Sequence, residues 1–336
     1  MKNKMITLVA LICALNVASA QTSQPMMKAV VVNENGGPEV LKYQDAPRPE
    51  PKDDEILVRV MAAAVNPVDS YVRQGRFLKG NLPMVIGYDI AGVVEKTGAK
   101  ANKFKSGDAV YCYLSVMRGG GYAEYAIAKE SETALKPKNI NFEEAAAVPL
   151  AGTTAWQALI DDAKLSAGQT VLIHGGSGGV GSFAIPIAKA RGAKVIATAS
   201  TAHQATLKQL GVDQAIDYTT TKFEDVVKEV DLVLNCVRAD ALGRSYDVVK
   251  KGGAIVSITE EPDQAECARR GLTCSRTGAN PDAKVLEELT KLIEAGKMKP
   301  IVSQTFPLAE ASKAHQQIET RHTLGKIVLK VAEEKK

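Results

Sequence analysis

Residues 171–181, Val-Leu-Ile-His-Gly-Gly-Ser-Gly-Gly-Val-Gly, constrain this chain more than any other stretch. An aliphatic, β-branched run enters a turn made almost wholly of glycine, and the apolar-periodic run 182–190 opens a helix directly behind it. Gly176, Gly178 and Gly181 satisfy G-x-G-x-x-G, the spacing of a dinucleotide-binding turn. In such a turn the first glycine allows the tight reversal and the second lets the backbone approach a diphosphate. The third lets helix and strand pack closely, and the helix start adds free N–H groups and the positive end of its dipole. Strand-like stretches at 194–199, 215–218, 231–236 and 253–258 alternate with helical ones, which places the turn in a doubly wound α/β domain.

Two other motifs overlap this region. Gly175 to Gly179 also reads G-x-S-x-G, the nucleophile elbow of serine hydrolases, with Ser177 as nucleophile and His203, His315 or His322 as later bases. An elbow does not require Gly181, and here about 140 residues of β-rich chain precede it, which favours the dinucleotide reading. Tyr218 and Lys222 have the Tyr-x-x-x-Lys spacing of another reductase class but lie one strand too early, so the match is chance.

At 336 residues the chain is long enough for two domains, and 45% hydrophobic content suffices for ordinary cores. The 42 basic and 38 acidic residues form no long block, and aromatics are only 5%, so neither a phosphate-tracking surface nor a base-stacking platform is implied. The first twenty residues differ from the rest: Lys2 and Lys4, a short apolar run 5–15, then Ala18-Ser19-Ala20 have the form of a secretory leader. The apolar run is too short to span a bilayer. The leader implies a periplasmic or secreted chain, whereas a start at Met26 or Met27 implies a cytoplasmic one. Export sits uneasily with a nicotinamide cofactor. Of the later cysteines, Cys112, Cys236, Cys267 and Cys274, none has zinc spacing; Cys267 and Cys274 are read as free thiols that an oxidising compartment could pair.

Before the glycine turn the chain reads as a compact β-rich domain, with strands at 28–32, 55–62, 85–96, 108–113 and 122–128. Helices at 142–147 and 153–160 flank Pro149, the expected hinge. Beyond the α/β block, 299–302 reads as a strand, 306–319 as a helix and 326–331 as a closing strand. The expected organisation is a leader at 1–20, a β-rich domain at 27–150 completed by 299–331, and a dinucleotide domain at 151–298.

About twenty residues past the glycines, the second strand of such a domain ends in an acid when a ribose 2′-hydroxyl is bound. Here that end reads Thr198-Ala199-Ser200-Thr201, with His203 just beyond. Small hydroxyls and no acid favour the 2′-phosphate of NADP(H), although Ser200 and Thr201 are equally suited to capping the next helix.

The run Ala64-Val65-Asn66-Pro67-Val68-Asp69-Ser70-Tyr71-Val72-Arg73-Gln74-Gly75 resembles the signature of zinc-independent medium-chain dehydrogenases/reductases of the quinone and enone oxidoreductase type. So do Ile86-Gly87-Tyr88-Asp89-Ile90-Ala91-Gly92-Val93-Val94, Pro149-Leu150-Ala151-Gly152-Thr153-Thr154-Ala155 and Gly325-Lys326-Ile327-Val328-Leu329. The resemblance covers nearly all of residues 27–331. Zinc-dependent relatives carry cysteine where Asn66 stands and Gly-His-Glu where Gly87-Tyr88-Asp89 stands, so neither a catalytic nor a structural zinc is expected.

The resemblance implies an α/β fold: a GroES-like catalytic domain plus a doubly wound Rossmann domain that binds NADP(H). It places nicotinamide near Asn66, Tyr71 and Thr153, the diphosphate on Gly176, Ser177, Gly178, Gly179, Val180 and Gly181, and the adenosine phosphate near Ser200, His203 and Tyr218. Asn235 and Ile258, ending the fourth and fifth strands, complete the cofactor set. Relatives place lysine or arginine where His203 stands, and small residues and glycine at Arg238-Ala239-Asp240. A homodimer is also implied.

The implied reaction is hydride transfer to an enone or quinone, with Tyr71 donating to the substrate oxygen, Asn66 positioning substrate or nicotinamide, and water supplying the proton. Competing structural readings are a rim-packing Tyr71, a turn-forming Asn66, a helix-capping Asp69, a core His174 and solvated His315 and His322. A chain that binds NADPH with little turnover is the alternative function.

Overall fold

The computed structural model describes residues 24–77, 82–238 and 240–333; the expected leader lies outside them. The N-terminal part contains β1 (Met26–Val32), β2 (Leu41–Pro47), β3 (Glu55–Val65), β4 (Met84–Val85), β5 (Asp89–Thr97), β6 (Ala109–Tyr113), β7 (Tyr125–Lys129) and β8 (Thr133–Leu135). β2, β1 and β4 form a small antiparallel sheet.

β3 is the spine of this region. Its sequence Glu-Ile-Leu-Val-Arg-Val-Met-Ala-Ala-Ala-Val is almost wholly apolar because both faces are buried. Ile56, Val58 and Val60 enter one core and Met61, Ala62 and Ala64 the other, while Ala63 and Val65 return to the first. The alternation changes phase because the pairing with β5 slips between Val60 and Ala62, which turns the strand over.

The second block holds β9 (Thr170–His174), β10 (Lys194–Ala199), β11 (Gln214–Asp217), β12 (Val230–Asn235), β13 (Val249–Ser257) and β14 (Thr273–Arg276). All pair in parallel in the order β11-β10-β9-β12-β13-β14, the doubly wound arrangement in which ligands bind where the strand order reverses. That point lies between β9 and β12. The helix Gly181–Ala190 follows β9, and its buried face joins the core shared with the helices Pro149–Trp156 and Ala283–Glu294.

β15 (Val302–Pro307) and β16 (Lys326–Lys330) close the chain. β16 pairs antiparallel with β3, so the C-terminus extends the first domain's large sheet, β15-β16-β3-β5-β6-β8 with β7 also on β3.

Several expected elements differ. The strand expected at 299–302 forms instead as β15, and the helix expected from 306 begins at Ala311; Pro307 ends the strand and has no N–H to extend its pairing. The strand expected at 122–128 begins at Tyr125. The strand expected over 85–96 is split by residues 86–88, where Gly87 sits at φ +99°. The helix expected from 153 begins instead at Pro149, whose missing N–H costs nothing at the first helical position.

Cys267 and Cys274 form a disulfide rather than the expected free thiols. The helix Gln264–Arg270, its left-handed Gly271 cap and β14 bring the two Cα atoms within 6.2 Å. Closing so short a loop contributes about 2 kcal/mol in the chain-entropy account. The double Cys267→Ala/Cys274→Ala variant is expected to lose about that much unfolding free energy in urea titration; an unchanged midpoint would show that the bridge does not stabilise the fold.

Candidate active site

The glycine turn is held from both domains. Gly175, not Gly176, takes the positive φ of the reversal, +72°. Gly176 is a packing position, since a Cβ there would lie 2.9 Å from the side chains of Ala197 and Leu207. At Gly181 a Cβ would meet the Gly175 carbonyl oxygen at 2.2 Å, so strand and helix approach as closely as the spacing implies. Gly178 and Gly179 are less crowded, with nothing nearer than 3.4 Å, which leaves their backbone approachable. Val180 is half-buried at the helix entry. From the other domain, Gly325 N–H donates to the Ser177 carbonyl at 2.8 Å. Lys326, the next residue, has its Cδ 3.4 Å from where a Gly179 Cβ would stand.

Lys326 is the centre of a buried polar cluster. Its ammonium donates to Asn66 Oδ1 and to Asp89 Oδ2, the latter at 3.3 Å, and is only 3% exposed. Asn66 Nδ2 donates to the same Asp89 oxygen at 2.9 Å, while Asp89 Oδ1 accepts the Leu150 N–H at 2.6 Å. Burial pushes the Asp89 carboxyl up; Lys326, Asn66 and the Leu150 N–H pull it back down. The Asn66 amide is thus committed at both ends, with its oxygen on Lys326 and its nitrogen on Asp89. It frames the cleft.

Asn66 also caps the helix Pro67–Arg73, and its N–H donates to Asp69 Oδ2 at 2.8 Å. The same oxygen accepts Tyr122 O–H at 2.5 Å, and Asp69 Oδ1 is buried without a partner. Burial raises this carboxyl to about 7, against the pull of the Tyr122 and Asn66 hydrogen bonds. Behind it lies His315, expected to be solvated but fully buried. Its Nδ1 lies 3.1 Å from Arg73 Nη1 and its Nε2 3.3 Å from the Tyr122 hydroxyl. Arg73, also fully buried, pairs with Glu319 at 2.5 Å. The amphipathic pattern of the helix Ala311–Glu319 does not reveal that Arg73 draws His315 inward. His322 is exposed, and His174 is a core residue between Thr198 and Ser245.

Thr153 is buried in the helix Pro149–Trp156, and its hydroxyl has no partner. A buried, unmatched hydroxyl close behind Leu150 fits a ligand group better than an apolar void. Tyr71 is half-buried, and its hydroxyl accepts a hydrogen bond from Arg238 Nη2 at 3.2 Å across the cleft. Asn235, fully buried at the end of β12, pins the following loop through the Val237 carbonyl at 3.0 Å and accepts the Ile258 N–H at its own carbonyl.

At the outer end, Ser200 is half-buried and makes no side-chain cap, whereas Thr201 is engaged by Asp217 at 2.6 Å. Tyr218 is 55% exposed beside them. Ser177 Oγ lies 3.2 Å from His203 Nδ1. No carboxylate bonds His203 among the described residues, and the nearby Asp217 is occupied by Thr201 and Thr219, so a hydrolase triad is not assembled. The glycine backbone, the orphan Thr153 hydroxyl and the free Ser200 side chain therefore fit a dinucleotide. Sequence reasoning singled out neither Asp89 nor Lys326 as site residues, although a lysine opening a buried strand is a signal that could have been used.

Fold and site together define a nucleotide-dependent oxidoreductase of two-domain type. Residues 52–138 match the alcohol dehydrogenase GroES-like domain and residues 210–329 the zinc-binding dehydrogenase domain. The chain is 40% identical to an NADPH-dependent alkenal/one oxidoreductase of Arabidopsis thaliana over 94% of its length and 82% of that protein's. It is 33% identical to the quinone oxidoreductase of Sus scrofa, covering 92% of this chain and 99% of that one. The quinone oxidoreductase of Coxiella burnetii superposes with a TM-score of 0.86 at 36% identity, over 92% of this chain and all of that one. The Escherichia coli quinone oxidoreductase solved with NADPH gives 0.82 at 29%, over 90% and 100%. This chain belongs to the medium-chain dehydrogenase/reductase family, in its quinone and alkenal oxidoreductase branch.

The buried titrating groups act on stability in opposite directions. Asp69, raised from 3.8 to about 7, holds its proton more tightly in the folded chain, so its contribution is full at acid pH and lost as pH rises to 7. His174 and His315, pushed down by burial to about 4 and about 3, contribute stability that is present above 6.5 and lost as pH falls. Asp69→Asn removes the first effect and keeps the second. Its urea midpoint is therefore expected to climb more steeply than the wild type's between about pH 4 and 6.5; parallel curves would assign Asp69 an ordinary carboxyl.

Proposed function

We propose that this chain reduces quinones or α,β-unsaturated carbonyl compounds with NADPH and without a metal. The observation that carries this reading is the Lys326 cluster. An ammonium, not a metal-ligand set, lies between Asn66 and Asp89 beside the dinucleotide turn, and the helix whose Leu150 N–H bonds Asp89 carries the unmatched Thr153 hydroxyl. Among the described residues no group of three or more His, Cys, Asp or Glu could hold a metal, and a lysine donor in the cluster is unsuited to one. The relatives named for alkenal/one and quinone reduction support the substrate class, and the NADPH in their names or structures supports the cofactor.

When bound, NADPH supplies the hydride. Lys326, Asn66 and Asp89 hold the catalytic helix and the start of the Thr153 helix in fixed relation to the glycine turn. The Thr153 hydroxyl would bond the nicotinamide end, and Ser200 with His203 would take the 2′-phosphate. Tyr71 donates a hydrogen bond from its hydroxyl to the substrate oxygen, where charge develops as the β-carbon is reduced. Water protonates the product carbon. An enone or quinone suits this site because its conjugation delocalises the incoming electron pair, so hydrogen bonding replaces a Lewis acid.

A location outside the cytoplasm is supported by the leader pattern at residues 1–20 and by the Cys267–Cys274 bridge, which an oxidising compartment maintains. Intact-mass analysis of the protein from its native host is expected to show a chain beginning near Gln21; a chain beginning at Met26 or Met27 would place it in the cytoplasm. Purified protein is expected to oxidise NADPH in preference to NADH against enones and quinones, with no loss to chelators. Tyr71→Phe should lower kcat/KM by about tenfold to a hundredfold. NADPH binding with silence across enones and quinones would make it a binding protein instead.

A further inference from the structure

Arg238 stands where the family resemblance leads one to expect a small residue. The Val237 carbonyl just before it accepts hydrogen bonds from Asn235 Nδ2 at 3.0 Å and Thr259 Oγ1 at 2.9 Å, so the loop that presents Arg238 is tied to two strand ends. This loop follows β12, at the switch point of the parallel sheet where ligands of such domains sit. From it the guanidinium reaches across the cleft. It donates to the Tyr71 hydroxyl at 3.2 Å and lies 5.7 Å from that ring's centre.

Arg238 has no acidic partner among the described residues. The acid two residues on, Asp240, pairs with Arg244 at 3.2 Å, and Arg244 also takes Glu224 at 2.7 Å. The other cation near the turn, Lys326, is already matched by Asp89. Arg238 is therefore an exposed cation without an acidic partner among the described residues, and it adjoins the hydroxyl assigned to the substrate oxygen. A neutral enone offers that cation no counter-charge.

We propose that Arg238 is a specificity residue that selects unsaturated carbonyl substrates bearing a carboxylate on the carbonyl carbon, the 2-oxo-3-enoates. Two donors in mutual hydrogen-bond contact, Arg238 and Tyr71, match two acceptors on adjacent carbons, a carboxylate and a ketone oxygen. Guanidinium and carboxylate form the stronger, charge-assisted pair, and Tyr71 retains its proton for the ketone because it accepts, rather than donates, toward Arg238. In the reaction the hydride adds at C4 of the enoate, and the C3–C4 π pair moves through C3 to the C2 carbonyl oxygen as an enolate. A water proton on C3 then gives the saturated 2-oxo acid, and NADPH leaves as NADP⁺.

This inference rests on Tyr71 as the donor to substrate, and the experiment separates the two. Benzylidenepyruvate and benzalacetone differ only in carboxylate against methyl on the carbonyl carbon. Wild type is expected to favour the carboxylate in kcat/KM by at least about tenfold, and Arg238→Ala to remove that preference while changing benzalacetone by less than about threefold. Arg238→Lys should restore part of it. Equal losses on both substrates, or no preference in wild type, would overturn the proposal, as would weakened NADPH binding by nicotinamide fluorescence, which would assign the arginine to the cofactor. Tyr71→Phe should depress both substrates, and its failure to do so counts against the Tyr71 role alone. If neither substrate turns over, binding of 2-oxo-4-phenylbutanoate to the NADP⁺-loaded protein decides: a tenfold or greater weakening in Arg238→Ala supports the assignment, and no change removes it.

Discussion

The buried contact of Lys326 with Asp89 and Asn66 is the interaction on which the rest of the site depends. Four segments distant in sequence meet there: the end of β3, the start of β5, the first turn of the Pro149–Trp156 helix and the start of β16. An isolated ammonium or carboxylate at this depth would be costly, and removing one partner of such a pair typically costs about 3–5 kcal/mol. The cluster is tolerable because nearly every polar atom in it has a partner. That requirement makes it specific: the strands must arrive in one register, or a charge is left unmatched.

The register is set elsewhere. β3 is so uniformly apolar that periodicity does not say which side chains face which core, and the slip in its pairing with β5 exchanges the two faces midway. Past the slip, the strand delivers Asn66 to the head of the helix Pro67–Arg73. β16, pairing with the same strand, delivers Lys326 opposite. The dinucleotide turn is fastened just ahead of β16 by the Gly325 N–H on the Ser177 carbonyl. One extended strand thus sets the geometry between the Asn66–Asp89–Lys326 cluster and the dinucleotide turn.

Behind the helix Pro67–Arg73 lies a second polar layer in which Arg73 and His315 are buried together with Asp69 and Tyr122. With Arg73 donating to Nδ1, His315 is kept neutral and its Nε2 proton points to Tyr122. This layer fixes the pose of Asp69 and, through the Asn66 N–H, of the cap itself. On the cleft side of it, Arg238 reaches the Tyr71 hydroxyl and has no acidic partner among the described residues. Its influence on substrates would come from a loop the family resemblance marks as divergent.

Some features needed only the sequence. The order of elements around the glycine turn, the glycine spacing, the hydroxyls in place of an acid after β10 and the extended resemblance identify the two domains, the cofactor class and the family, because these are local patterns or matched strings. The tight-turn glycine was misplaced by one residue, since local spacing does not distinguish a positive φ at Gly175 from a packing demand at Gly176. Other features only tertiary structure decided. Lys326 is only one residue of a matched string until β16 is laid beside β3, His315 reads as solvated until Arg73 is seen beneath it, and Cys267 as free until Gly271 turns the chain back toward Cys274. In each case the partner lies on another segment. Burial and pairing are properties of approach in space, and the sequence encodes them only through the complete fold.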